Sequence, residues 1–113
     1  MTTVLRGTAL PTPTASEVIE AALSAPRDYP GPDRLRYLYA AARQMIQVRL
    51  PVVAAQVEDA PSGPERASRE RAMDEAEAIL CDGLSPSCLA ASLTVSALGR
   101  ALLGLEQFTG ADR

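Results

Sequence analysis

The chain contains no histidine, lysine, tryptophan or asparagine. Without histidine, the usual general base near neutral pH is missing, and with it every Ser-His and Cys-His nucleophile pair. Without lysine, Schiff-base chemistry and the lysine of phosphate-binding loops are excluded. Aromatics make up only 4% of the chain, so a core must be assembled from Leu, Val, Ile, Met and Ala. Cysteine occurs twice, at Cys81 and Cys88. Two cysteines without a histidine make no zinc site. They read as reduced thiols, with a redox-sensitive pair across the short turn between them as the alternative. No cofactor and no metal is expected.

Charge is also limited. Fourteen acids face 11 arginines, a net charge of −3. That balance gives no global attraction to nucleic acid or to an anionic membrane. The N-terminal MTTVLRGTALPTPT lacks the apolar core of a secretory signal. The longest uncharged stretch reads as too short, and too rich in Ser and Thr, to span a membrane. The cytoplasm is the expected compartment.

What is present is helical. Residues 1–13 read as a flexible tail interrupted by Pro11 and Pro13. A single domain over 14–110 is expected, a length that supports a real core. Thr14 and Glu17 have capping-box spacing, which predicts a short helix to about Ser24. Its apolar edge is Val18, Ile19, Ala22 and Leu23. A loop is expected over Pro26–Pro32. Asp33 then serves as N-cap of a second helix with Leu35, Leu38, Ala42, Met45, Ile46, Val53 and Val57 on one face. Pro51 lies inside that pattern and predicts a kink, because proline removes a backbone donor and crowds the preceding turn. A third helix is expected from about Glu65 to Asp82, with Gly83 as its C′ residue. Ala72, Met73, Ala76, Ile79 and Leu80 form its dry face. Ser85-Pro86 predicts the start of a fourth helix, ending near Phe108.

The fourth helix is the most informative segment, since no charge occurs between Asp82 and Arg100. Val95, Leu98, Leu102 and Leu105 form one stripe, and Leu89, Leu93 and Leu103 form nearly the opposite one. Ser92, Ser96 and Gly99 make a narrow seam between them. Two opposed apolar stripes require two partners. The expected fold is all-α, a small up-down helical bundle of three long helices plus a short N-terminal one. Short connections make successive helices antiparallel.

Candidate sites follow from residues that break the pattern. Arg49, Arg69 and Arg100 fall within apolar arcs of their helices. If they converge, three guanidiniums bind an anionic small molecule in an internal pocket between the second and fourth helices. If they do not, each lays its stem along the core edge and pairs with an acid such as Glu58 or Glu106. Tyr39, with Tyr37, either lines a ligand mouth or caps the core with its hydroxyl in water. Glu70, Asp74 and Glu77 share an acidic face, but the carboxylate-bridged metal bundles also need histidine. The candidate interface is Val95, Leu98, Gly99, Leu102 and Leu105, joining a homodimer or a partner protein.

Two resemblances bear on function. The stretch Ala90-Ala-Ser-Leu-Thr-Val-Ser, followed by Leu105-Glu106, resembles the helix-turn-helix of LysR-type regulators. It implies DNA binding, although the residues that form the turn after Ser96 are missing and Arg100 is the lone cation of the recognition segment. More broadly, an Ala- and Arg-rich helix interrupted by Leu50-Pro51-Val52-Val53, an acidic third helix and a Leu-rich last helix are similar to small actinobacterial proteins encoded near natural-product biosynthesis genes. The absence of Lys and Asn, whose codons are A/T-rich, fits such a GC-rich source. That resemblance implies an accessory role and supplies no catalytic residue. The expected function is therefore non-enzymatic, an interaction protein acting through an apolar helical surface.

Overall fold

A computed structural model describes residues 13–109 of the chain. They form four helices: α1 (Ala15–Asp28), α2 (Pro32–Asp59), α3 (Pro64–Leu80) and α4 (Cys88–Thr109). No strand occurs among the described residues. The predicted tail, apart from Pro13, lies outside them, as does Gly110.

Local sequence explains each boundary. Thr14 Oγ1 accepts from the Glu17 amide at 3.1 Å, and the Glu17 carboxylate accepts from the Thr14 amide at 2.9 Å. This is the predicted capping box, with two orphan amides satisfied reciprocally. The helix does not stop at Ser24, however. It runs through Pro26 and closes at Tyr29, whose φ of 52° turns the chain. Pro26 costs the helix the backbone bond to the Ala22 carbonyl, and α1 ends two residues later. Gly31, and not Asp33, is the N-cap of α2, with Pro32 at the first helical position. The fixed φ of proline is preorganised for that place, and Asp33 then sits in the first turn, where the helix dipole favours an acid.

α2 continues uninterrupted through Pro51. The proline faces solvent, where water can satisfy the carbonyl it leaves unbonded. α3 begins after Gly63, whose φ of 154° requires glycine. Its other end departs from expectation. Gly83 is not a left-handed cap; Cys81 closes the helix in right-handed geometry. Side chains of α2 meet the chain at this end. Arg43 Nη1 donates to Leu80 O at 2.6 Å, and Tyr39 Oη donates to Asp82 O at 2.8 Å. The Ala78 and Ile79 carbonyls are met by the Cys81 and Asp82 amides at 3.2 and 3.0 Å, and the neighbouring helix supplies donors to Leu80 O and to Asp82 O just beyond the helix. The start of α4 also shifts. Ser85 Oγ accepts from the Ser87 amide, and Ser87 caps the helix by accepting from the Ala90 amide.

Successive helices run antiparallel. α4 packs against all three others, α2 touches all three as well, and α1 and α3 do not touch each other. The bundle is therefore a rhombus whose short diagonal joins α2 and α4, which run parallel. One end of the core gathers Ala22 and Ala25 of α1, Leu35 and Leu38 of α2, and Ala91 and Val95 of α4. The other gathers Ile46 and Val53 with Ala72, Ala76, Leu98, Leu102 and Leu105. Burying a leucine fully contributes about 2 kcal/mol, and Leu35, Leu38, Leu98, Leu102 and Leu105 are all closed to water.

Candidate functional site

The expected sites separate into residues the fold uses for itself and residues it leaves outside. Val95, Leu98, Leu102 and Leu105 are wholly inaccessible, and Gly99 is buried. The stripe predicted as an interface with another chain is the core of this one. The reason is geometric: α1, α2 and α3 together enclose three sides of α4, so this stripe has its partners within the chain.

Gly99 is positioned by a close approach of α1. A Cβ there would lie 2.9 Å from Ala22 Cβ and 3.4 Å from the Leu23 amide nitrogen. The small-residue seam thus lets α1 press directly onto α4. On the opposite flank Gly104 faces Ala72 with ordinary space, 3.9 Å to its Cβ.

The three arginines do not converge. Arg49 donates through Nε to Glu106 at 2.5 Å and through Nη1 to Met45 O at 3.1 Å. Its side chain and that of Glu106 are each roughly three-quarters covered. Such a pair ties α2 to α4 and leaves no free cation. Arg69 stacks on Phe108, 4.9 Å from the ring centroid, and donates to Gln56 Oε1 at 3.1 Å. Gln56 in turn donates to Phe108 O at 2.9 Å. Both arginines thus serve the carboxyl end of α4, where positive charge complements the helix dipole. Arg100 lies elsewhere, on the outside of α4, bonded to Ser96 Oγ at 3.1 Å. It borders an open groove of about 570 Å³ between α3 and α4, with Glu75 and Asp82 on the facing wall. A smaller cavity of about 60 Å³ is lined by residues of both α2 and α4, among them Leu35, Arg36, Cys88 and Ala91, and none of the three arginines reaches it.

Tyr39 is likewise committed, to the Asp82 carbonyl, with Arg43 stacked 5.2 Å from its ring. The role of Arg43 was not read from sequence; its signal was an arginine one turn after Tyr39 on the same edge of α2. Cys81 and Cys88 are both free and exposed. No group of three or more metal-ligating side chains occurs among the described residues.

What remains outside is the second stripe. Leu89, Leu93 and Leu103 are 60%, 56% and 42% exposed. They lie along the outer face of α4, in the arc left open between α1 and α3. Leu23 of α1, also exposed, borders that stripe at the level of Gly99. α2 carries a second apolar exposure at Val48 and Val52. It is interrupted by Gln44, Gln47 and Pro51 on the same face. α4 is also the one helix among the described residues long and apolar enough to cross a membrane, contrary to the expectation from Ser and Thr content, and half of it is buried inside the bundle. It runs continuously through Ser96 and Gly99, without the turn a helix-turn-helix needs.

Fold and surface together define a small four-helix up-down bundle with one leucine-lined outer helix face. The chain belongs to a family of unknown function, DUF6415, whose model matches residues 13–110. No curated protein and no solved structure matches it.

Proposed function

We propose that the protein acts by binding another polypeptide through the outer face of α4, without chemistry of its own. The observation that carries this reading is the exposure of Leu89, Leu93 and Leu103 on one helix whose opposite face is fully used in the core. Leucines spread along a single face of a soluble helix are what a helix-lined interface presents. Elsewhere in the bundle Arg49, Arg69 and Arg43 each serve a neighbouring helix, and Arg100 is the one exposed charge on α4 between Leu89 and Leu103. An accessory role in the cytoplasm, beside natural-product biosynthesis in an actinobacterium, is the finer reading. It rests on the helix pattern and the missing Lys and Asn.

Site-specific photocrosslinking in the native host tests it. A photoreactive residue at position 93 or 103 is expected to yield a discrete adduct with one polypeptide. The same residue at position 48, on the exposed face of α2, is expected to yield far less. Equal labelling from α2, or no adduct from α4, would sink the proposal.

A further inference from the structure

We infer that the polypeptide bound at α4 presents a helix to the groove between α3 and α4, with two basic side chains toward Glu75 and Asp82 and an acidic one toward Arg100. This rests on the reading of the outer face of α4 as the binding surface and adds the chemistry of its occupant.

The first argument is charge. Arg100 on one wall and Glu75 and Asp82 on the other border the same open groove of about 570 Å³. All three side chains are exposed, and none enters an ion pair among the described residues. Arg100 instead folds back to Ser96 Oγ on its own helix at 3.1 Å. The groove thus holds opposite charges on separate walls, and a segment lying between them must answer each wall with the opposite sign. Glu75 and Asp82 are seven residues apart. That is close to two helical turns, so they stand on one line of α3 and about 10 Å apart along it. A partner helix running along α3 meets both with bases at the same spacing. With two acids to one arginine, the groove disfavours a polyanion such as nucleic acid.

The second argument is shape. Ala78 of α3 and Ala97 and Ala101 of α4 line the groove, and such small side chains let a third helix approach closely. Both walls are helices whose main-chain groups are bonded within themselves. The walls offer no strand edge, so the occupant must satisfy its own backbone, as a helix does. Leu93 precedes Ala97 by four residues and lies on the same line of α4. The groove is therefore continuous with the leucine stripe, and a helix seated in it also covers Leu93.

Charge reversal read by photocrosslinking in the native host tests this. A photoreactive residue at position 78, on the α3 wall, is expected to label the same polypeptide as one at position 93. Glu75→Arg with Asp82→Arg is expected to cut the adduct from position 93 about ten-fold or more, and Arg100→Glu should weaken it as well. Glu77→Arg should leave it unchanged, since Glu77 is two residues on from Glu75 and faces the other side of α3. Helical circular dichroism should be the same for all these proteins, because every altered charge is exposed. The labelled stretch of the partner is expected to carry Lys or Arg seven residues apart. A silent position 78, an adduct indifferent to the reversal at Glu75 and Asp82, or an adduct that is this chain itself would each overturn the inference while position 93 still upholds the binding face. If neither position 93 nor position 103 labels a polypeptide, both readings fall.

Discussion

The two flanks of α4 are built differently although each is lined by small residues. On the α1 flank, Gly99 admits Ala22 so closely that a single added methyl would collide at 2.9 Å. α1 buries Val18, Ile19, Ala22 and Ala25 from only 14 residues. On the α3 flank, Gly104 leaves ordinary space before Ala72, and α3 fully buries only Ala72 and Ala76 from 17 residues. An open groove separates part of α3 from α4. The lesson is that glycine in a helix seam has no fixed meaning. It marks a close approach where the neighbour's backbone is near, and a mere loss of helix propensity where it is not.

Substitutions along both flanks should sharpen that contrast. The largest effect is expected from Gly99→Val. Its branched side chain has no room against Ala22 and the Leu23 backbone, so a loss of about 3 kcal/mol is expected from overpacking, read as a lower midpoint in urea. Native-state hydrogen exchange should come next. With only two alanines buried, α3 is expected to open locally, and its central amides should exchange ten-fold or more faster than those of α1 and α4 at about 1.4 kcal/mol per ten-fold step. Uniform protection across all four helices would erase the distinction between the flanks. Arg49→Ala removes the cation from a largely covered pair and leaves Glu106 short of a partner. A cost of about 1–2 kcal/mol is expected, and Glu106→Gln, which keeps an acceptor for Arg49, should cost less. The smallest effect has the opposite sign. Gly104→Ala meets ordinary contact distance and gains helix propensity, so it should stabilise by about 0.5–1 kcal/mol. A destabilised Gly104→Ala protein would mean that the α3 flank is as tight as the α1 flank.

Much of this architecture is legible in the sequence because it rests on periodicity. The capping box at Thr14, the dry face of α2 and the two stripes of α4 are all short-range patterns, and helices realise them directly. The continuity of α2 through Pro51 follows the same pattern, since the apolar face continues on both sides of it. Sequence is less informative where two elements exchange partners. Nothing local in α3 says that Arg43 and Tyr39 of α2 donate to Leu80 O and Asp82 O at its end, so the glycine at position 83 looked like the natural stop. Local spacing also could not decide which of the two α4 stripes faces inward. That choice depends on three helices distant in sequence. It placed Val95, Leu98, Gly99, Leu102 and Leu105 in the core and left Leu89, Leu93 and Leu103 outside. Arg49 and Arg69 illustrate the same limit: each lies on an apolar arc, and each is fully explained only once Glu106, Gln56 and Phe108 are in place.

The most direct test of the central claim is a native mass spectrum of the protein isolated gently from its own cells, compared with that of Leu93→Asp. The account predicts a discrete complex with a polypeptide for the wild type and a bare 11.9 kDa chain for the variant. A wild type that flies as the bare chain, or a Leu93→Asp protein that keeps the same bound polypeptide, would contradict the assignment of the outer face of α4 as the functional surface.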